Sequence, residues 1–240
     1  MLWEELNWTE FEKLVPQKYD TAILPVGTIE AHGVAPLGTD NMIPVEMARR
    51  LAPDLNAIIA PTINYGITRT LLAYPGSLSV AAETFEQYVS EVMFSIADWK
   101  FKKLVVLNGH GGHLEQLARA ARQVWQAKRI KIAVVHWWTC CDDIVERIYG
   151  RQGGHAATDE NAAIQAFRPD LIHKELYSDQ MVYNQPQGFA VYPNPGTILA
   201  YKQNAGYLDF DQKKAEEYLE AAVERIKTHI LEIFKRWERL

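Results

Sequence analysis

The stretch Pro25-Val-Gly-Thr-Ile-Glu-Ala-His-Gly-Val-Ala-Pro-Leu-Gly-Thr-Asp40 begins at the end of an apolar run, Thr21 to Val26. It leads into Asn41 to Leu51, where Val45, Ala48 and Leu51 share one helical stripe. A strand, a glycine-containing loop and a helix in that order open a βα unit. The order recurs at Asn108-Gly-His-Gly-Gly-His113, between the aliphatic run Lys103 to Leu107 and an amphipathic stretch from His113 to Ala127. Two more aliphatic runs, Ala57 to Ala60 and Ile130 to Val135, and a helical stripe from Ala82 to Trp99 extend the alternation. This pattern predicts an α/β fold with a mostly parallel sheet whose strands are buried on both faces.

Farther along, Asp211 to Leu240 places Ala215, Tyr218, Leu219, Ala222, Ile226, Ile230 and Phe234 on one stripe, with Asp209 or Asp211 available as N-cap, and predicts a closing helix. Residues 177–210, where five tyrosines are interspersed with three prolines, break the rhythm and read as irregular structure of the kind that forms lids, binding loops or oligomer contacts. With no repeat or linker, residues 1–240 read as a single domain. At 48% hydrophobic and 23% charged the chain can fill a core, which excludes disorder and a disulfide-stapled miniature. A net charge of −5 without long like-charge runs gives no footprint for nucleic acid or an anionic membrane. No apolar window approaches the roughly 20 residues of a membrane helix. Met1 to Asn7 is not a secretory signal, and the adjacent Cys140 and Cys141 are ill placed to pair, so a cytoplasmic location is expected.

Chemistry-bearing residues gather in three glycine-containing turns. In the first, Glu30 and His32 are two apart, so an extended segment presents them on one face, and Gly27, Gly33 and Gly38 let the loop bring Asp40 toward them. Asp40 is equally placed to cap a helix beginning at Asn41. In the second, His110 and His113 lie in a turn whose glycines are hard to explain by packing. Close approach of backbone to a ligand accounts for them better, and neither a P-loop nor a dinucleotide fingerprint is present. The third, Gly153-Gly-His-Ala-Ala-Thr-Asp-Glu-Asn161, puts His155 above a helix beginning near Thr158, with Glu160 in its first turn, so that both can face one cavity. Thr158, Asp159 and Glu160 also suit an ordinary helix N-terminus. Together Glu30, His32, Asp40, His110 and Glu160 form a mixed oxygen and nitrogen donor set without thiolate, which suits catalytic Zn²⁺, Mn²⁺ or Fe²⁺. Five donors exceed what one catalytic zinc takes and suit two divalent ions sharing a carboxylate.

At these motifs the sequence resembles, over nearly its whole length, the creatininase (creatinine amidohydrolase) family of metal-dependent amide hydrolases. The resemblance rests on P-V-G-x-x-E-x-H-G and P-L-G-T-D within Pro25 to Asp40, Pro-Gly-Ser-Leu-Ser at Pro75 to Ser79, N-G-H-G-G at Asn108 to Gly112, and a His-Ala-Gly-Glu-x-Glu-like block at His155 to Glu160. It implies a three-layer α/β/α fold, a centre of two divalent ions with zinc foremost and manganese or iron in its place, and a homo-oligomer, hexameric by family analogy. Residue by residue, it implies that Glu30, Asp40 and His110 hold one ion. His32, the bridging Asp40 and Glu160 then hold the other, and His155 transfers a proton. His113 and Thr158 replace the family's usual asparagine and glutamate and are expected at the substrate. Members acting on creatinine carry a carboxylate where this chain has Gly112 and a tryptophan where it has Arg151; Ala157 and Asn161-Ala162 also depart from the commoner block. The expected substrate is a related small-molecule amide, such as a formamide, rather than creatinine.

The expected reaction is cleavage of a non-peptide or cyclic amide C–N bond by a metal-bound hydroxide, with His155 protonating the leaving nitrogen. A non-catalytic small-molecule binding protein on the same fold is the alternative, and tightly held metal in the purified protein separates the two.

Overall fold

A computed structural model describes residues 1–202 and 205–240. Four strands, β1 (Thr21–Val26), β2 (Ala57–Ile59), β3 (Lys103–Asn108) and β4 (Lys131–His136), form a wholly parallel sheet in the order β2-β1-β3-β4. In register, Ile23 lies opposite Ile59 on one side and Val105 on the other. Pro25 sits in a central strand without costing a ladder bond. Ala60 and Ile63 bond to the carbonyls of Ile23 and Pro25, so the missing N–H falls on the side where β2 has already ended at Ile59.

Helices α1 (Trp8–Leu14), α3 (Ala82–Asp98) and α4 (Leu114–Lys128) cover one face, packing on Ala22, Leu24, Val26, Leu104 and Val106. Helices α2 (Thr39–Leu51), α5 (Asp142–Tyr149), α6 (Thr158–Phe167) and α7 (Gln212–Trp237) cover the other, packing on Ile23, Val105 and Leu107. Alternate residues of β1 and β3 thus feed two cores, giving the expected three layers. Each fully buried aliphatic side chain contributes about 1.5–3 kcal/mol. The stripe of α7 is buried at all seven expected positions, and Asp211 accepts from the Lys213 and Lys214 N–H groups at 2.9 and 3.1 Å.

Several expectations need correction. Strand β4, at one edge of the sheet, is half-buried along its whole length, not buried on both faces, whereas β2 at the opposite edge is buried. Helix α2 starts at Thr39 with Gly38 as its N-cap, so Asp40 lies in the first turn and caps nothing. The segment 177–210 holds a small parallel pair, β5 (Val182–Asn184) with β6 (Ile198–Ala200). Helices α1 and α5 are additional elements; α1 is fixed by a capping box between Asn7 and Glu10. Both cysteines are free, and among the described residues no helix is long and apolar enough to cross a membrane.

Candidate metal centre

The site forms where the carboxyl ends of β1 and β3 meet the first turn of α2, the position at which parallel sheets collect ligands. Two glycines make that meeting possible. A Cβ on Gly27 would lie 2.2 Å from the Asp40 carbonyl oxygen, and one on Gly109 would lie 2.0 Å from the same atom. That carbonyl also lacks its helical partner, because the residue four positions on is Pro44. The close approach at Gly109 is therefore to the helix that carries Asp40. Gly112 has a similar role, since a Cβ there would lie 2.5 Å from both His110 Nε2 and the Ile67 carbonyl.

Three histidines converge on the carboxylates, each with one ring nitrogen committed to a backbone carbonyl. His32 Nδ1 donates to Glu30 O at 2.9 Å, His110 Nε2 to Ile67 O at 2.8 Å and His155 Nε2 to Ala31 O at 2.8 Å. The opposite nitrogens face carboxylate oxygens. His32 Nε2 lies 2.9 Å from Asp40 Oδ1 and 3.5 Å from Glu160 Oε2. His110 Nδ1 lies 2.9 Å from Asp40 Oδ2 and 3.1 Å from Glu30 Oε1, and His155 Nδ1 lies 3.5 Å from Glu30 Oε1. A nitrogen lone pair facing an anionic oxygen at such distances is repulsive unless a proton or a metal cation lies between them. Glu30 Oε1, His32 Nε2 and Asp40 Oδ2 are buried without a hydrogen-bond partner, which fits a cation.

Without an ion, protons fill the gaps at His32 and His110. Burial opposes charge on His32, but Asp40, Glu160 and Glu30 raise its pKa to about 10. His110 is likewise raised well above the ordinary imidazole value, against burial, by Glu30 and Asp40. Burial would lift Asp40, yet His32 and His110 hold it well below the carboxylate range. Glu160 is pushed well up by burial, with Oε2 accepting the Ala156 N–H at 2.6 Å. His155 is driven down to about 4 by burial and by His32. Three carboxylates and three imidazoles share this pocket with no Lys or Arg bonded to them among the described residues.

Donor atoms of Glu30, Asp40 and His110 lie within 4.8 Å of one another, as do those of His32, Asp40 and Glu160 and those of Glu30, His32 and His155. The first two groups coincide with the sets expected from sequence. Beside them opens a cavity of about 450 Å³ lined by Glu30, His110, His155 and Glu160. His113 does not line it. This residue is fully buried, stacks on Phe85 at 4.1 Å, donates from Nδ1 to Asn108 Oδ1 and accepts the Ile67 N–H at Nε2. Thr158 is buried too, its hydroxyl donating to Tyr207 O.

Residues not singled out by sequence organise the site. Asn108 accepts from His110 N–H and His113 Nδ1 while donating to His110 O and His136 Nδ1, so all four of its valences are used. Asp159 accepts the Gly154 N–H at 3.1 Å, and Leu199 of β6 donates to His155 O at 2.8 Å; together they fix the loop that carries His155. Asn108 and Asp159 lie inside quoted motifs, whereas Leu199 carried no signal.

Residues 4–232 match the family model described as creatininase, creatinine amidohydrolase. The chain is 26% identical over 259 aligned positions to the creatinine amidohydrolase of Pseudomonas putida, with 96% of each chain covered. It is 28% identical over 176 positions to the mycofactocin precursor peptide peptidase of Mycobacterium ulcerans, covering 68% of this chain and 65% of that one. A solved creatininase mutant of Zn-Zn type shares the fold with a TM-score of 0.81 at 24% identity, covering 97% of this chain and 98% of that one; a manganese form of creatininase is also among the solved structures with this fold.

Proposed function

The chain belongs to the creatininase (creatinine amidohydrolase) family, and on that premise we propose that it hydrolyses a small-molecule amide C–N bond at a centre of two divalent ions. Glu30, Asp40 and His110 hold one ion; His32, Asp40 and Glu160 hold the other. The oxygen and nitrogen donors favour zinc, with manganese as the next fit. The observation that carries this reading is the position of Asp40, whose Oδ1 meets His32 and whose Oδ2 meets His110. A carboxylate with one oxygen in each donor group is arranged to bridge.

When bound there, two divalent ions would supply Lewis acidity for a carbonyl and a water of lowered pKa. His155 moves the proton. Its Nε2–H is committed to Ala31 O, and burial opposes charge on its ring, which favours the neutral imidazole. It therefore begins as a base, taking a proton at Nδ1 and returning it to the leaving nitrogen. Backbone bonds from Ala31 and Leu199 hold its ring and main chain while it does so.

Creatinine itself is not the proposed substrate. A carboxylate-bearing residue at position 112 would displace His110 or Ile67, and Arg151 is turned to the Tyr207 carbonyl at 2.8 Å instead of lining the cavity. Metal analysis of two variants tests the centre. Asp40→Ala should lose both ions and Glu160→Gln chiefly one; an Asp40→Ala protein that keeps two ions per chain overturns the bridge.

A further inference from the structure

Arg69, a solvent-exposed residue, is the one Lys or Arg among the described residues that line the cavity, where the lining acids are Glu30, Asp142, Asp159 and Glu160. Its guanidinium makes no ion pair or side-chain hydrogen bond with any of them, or with any other described residue. A cation recruited to neutralise the buried carboxylates would be bonded to one of them. This one is not, although its backbone is tied firmly to the metal centre. Ile67 accepts from His110 Nε2 at 2.8 Å and donates to His113 Nε2 at 3.1 Å, and Thr68 N–H donates to Ser79 Oγ at 3.0 Å. On the other flank, Thr70 O accepts the Asn194 N–H at 2.9 Å and Thr70 Oγ1 accepts Asn194 Nδ2 at 2.8 Å. Asn194 is itself buried. Arg69 thus projects from a segment braced on both sides, one end of which is bonded directly to a proposed metal ligand.

We infer that the cavity takes amides carrying a carboxylate away from the scissile bond, and that Arg69 binds that carboxylate. The inference rests on the amidohydrolase reading of the adjoining centre and names its substrate class. A guanidinium offers two parallel N–H donors, the number a carboxylate accepts side by side. Among the described lining residues there is no second Lys or Arg to meet, beside Arg69, the further oxygens and second charge of a phosphate monoester. The bracing of residues 67–70 lowers the entropy cost of holding the guanidinium at a fixed reach from the ions, so recognition at one end positions the amide at the other. A volume of about 450 Å³ limits the ligand to a small molecule.

Three pairs of amides test it on the metal-loaded protein: malonamate, succinamate and glutaramate, each against its neutral diamide. Binding is followed by calorimetry and hydrolysis by ammonia release, for wild type, Arg69→Ala, Arg69→Lys and Arg69→Glu. The wild type should favour the carboxylate member of at least one pair by about tenfold to hundredfold, the range of a charge-assisted hydrogen-bonded contact. That ratio should fall to about one in Arg69→Ala, be partly kept in Arg69→Lys and invert in Arg69→Glu. A wild type without the preference, or an Arg69→Ala protein that retains it, overturns the assignment. An Arg69-dependent binding preference without hydrolysis of either member leaves the anion site standing and counts against the amidohydrolase reading. Hydrolysis indifferent to Arg69 does the reverse.

Discussion

Replacing Gly109 by alanine should empty the metal centre without a donor atom being touched. The added Cβ would stand 2.0 Å from the Asp40 carbonyl oxygen, 2.9 Å from its carbonyl carbon and 3.0 Å from Pro44 Cγ. All three belong to one helix turn, so no flexible side chain can swing aside. Restoring even a tight contact of 3.0 Å requires the first turn of α2 and the end of β3 to separate by about 1 Å from the 2.0 Å contact. Metal sites tolerate displacements of about 0.2 Å in their ligand distances, several times less. Overpacking of this kind costs about 1–3 kcal/mol, and at about 2–4 °C per kcal/mol for a chain of this size the melting temperature should fall by about 2–12 °C. The control is two residues away, because a Cβ on Gly111 meets nothing within 4 Å. Metal content by inductively coupled plasma mass spectrometry, with thermal melts on the same preparations, should show Gly109→Ala folded but depleted and Gly111→Ala loaded. A Gly109→Ala protein with two ions and an unchanged melt would refute the idea that this glycine seats Asp40.

Zinc binding to the ion-free protein should release protons at pH 7–8. His32, raised to about 10, is protonated there and must become neutral to bind metal, and the upward shifts of His110 and Glu160 add to the release. Affinity should therefore fall as pH falls, the release from His32 should vanish above about pH 10, and a pH-indicator titration showing no release would contradict a protonated His32 in the ion-free centre. In the ion-free protein the stabilisation from protonated His32 is fully present below about pH 6.5 and lost as pH rises through 10. His155→Ala should keep its metal and its melting temperature and lose about 10²- to 10⁴-fold in turnover, whereas a destabilised but fully active variant would make His155 a packing residue. Tyr218 is fully buried with an unpartnered hydroxyl, so Tyr218→Phe should raise stability by about 1 kcal/mol. Leu219→Ala next to it should lose about 2–5 kcal/mol, both read from thermal melts.

The sheet was legible because a strand buried on both faces is a near-continuous aliphatic run, as in Lys103 to Leu107, and α7 because its seven apolar positions keep one period for 20 residues. Strand β4 looks the same in sequence as its neighbours, and only the folded structure shows that this edge strand stays half-exposed while β2 at the other edge is covered. Helix α1 is seven residues long, too short for periodicity to speak, although its Asn7 and Glu10 capping box was a readable signal. At the site, glycines mark turns, so the motifs around Glu30, His110 and His155 stood out. What sequence could not tell was which partner each glycine admits. Gly109 admits Asp40's helix, and Gly66 lies against the buried ring of His113, where a Cβ would meet Nε2 at 1.9 Å. His113 shares a motif with His110 yet points into the core because α4 turns its ring against Phe85. Arg69 lies in no motif, and only the cavity assembled from distant segments brings it beside Glu30 and His110.

The central claim is that Asp40 joins two metal ions. Anomalous diffraction from crystals of the protein, recorded on both sides of the zinc and manganese absorption edges, tests it most directly. The account predicts two peaks per chain, one among Glu30, Asp40 and His110 and one among His32, Asp40 and Glu160, with Asp40 Oδ1 and Oδ2 each in contact with a different peak. A single peak with Asp40 on one side of it, or none between these residues in protein crystallised with either metal, would contradict it.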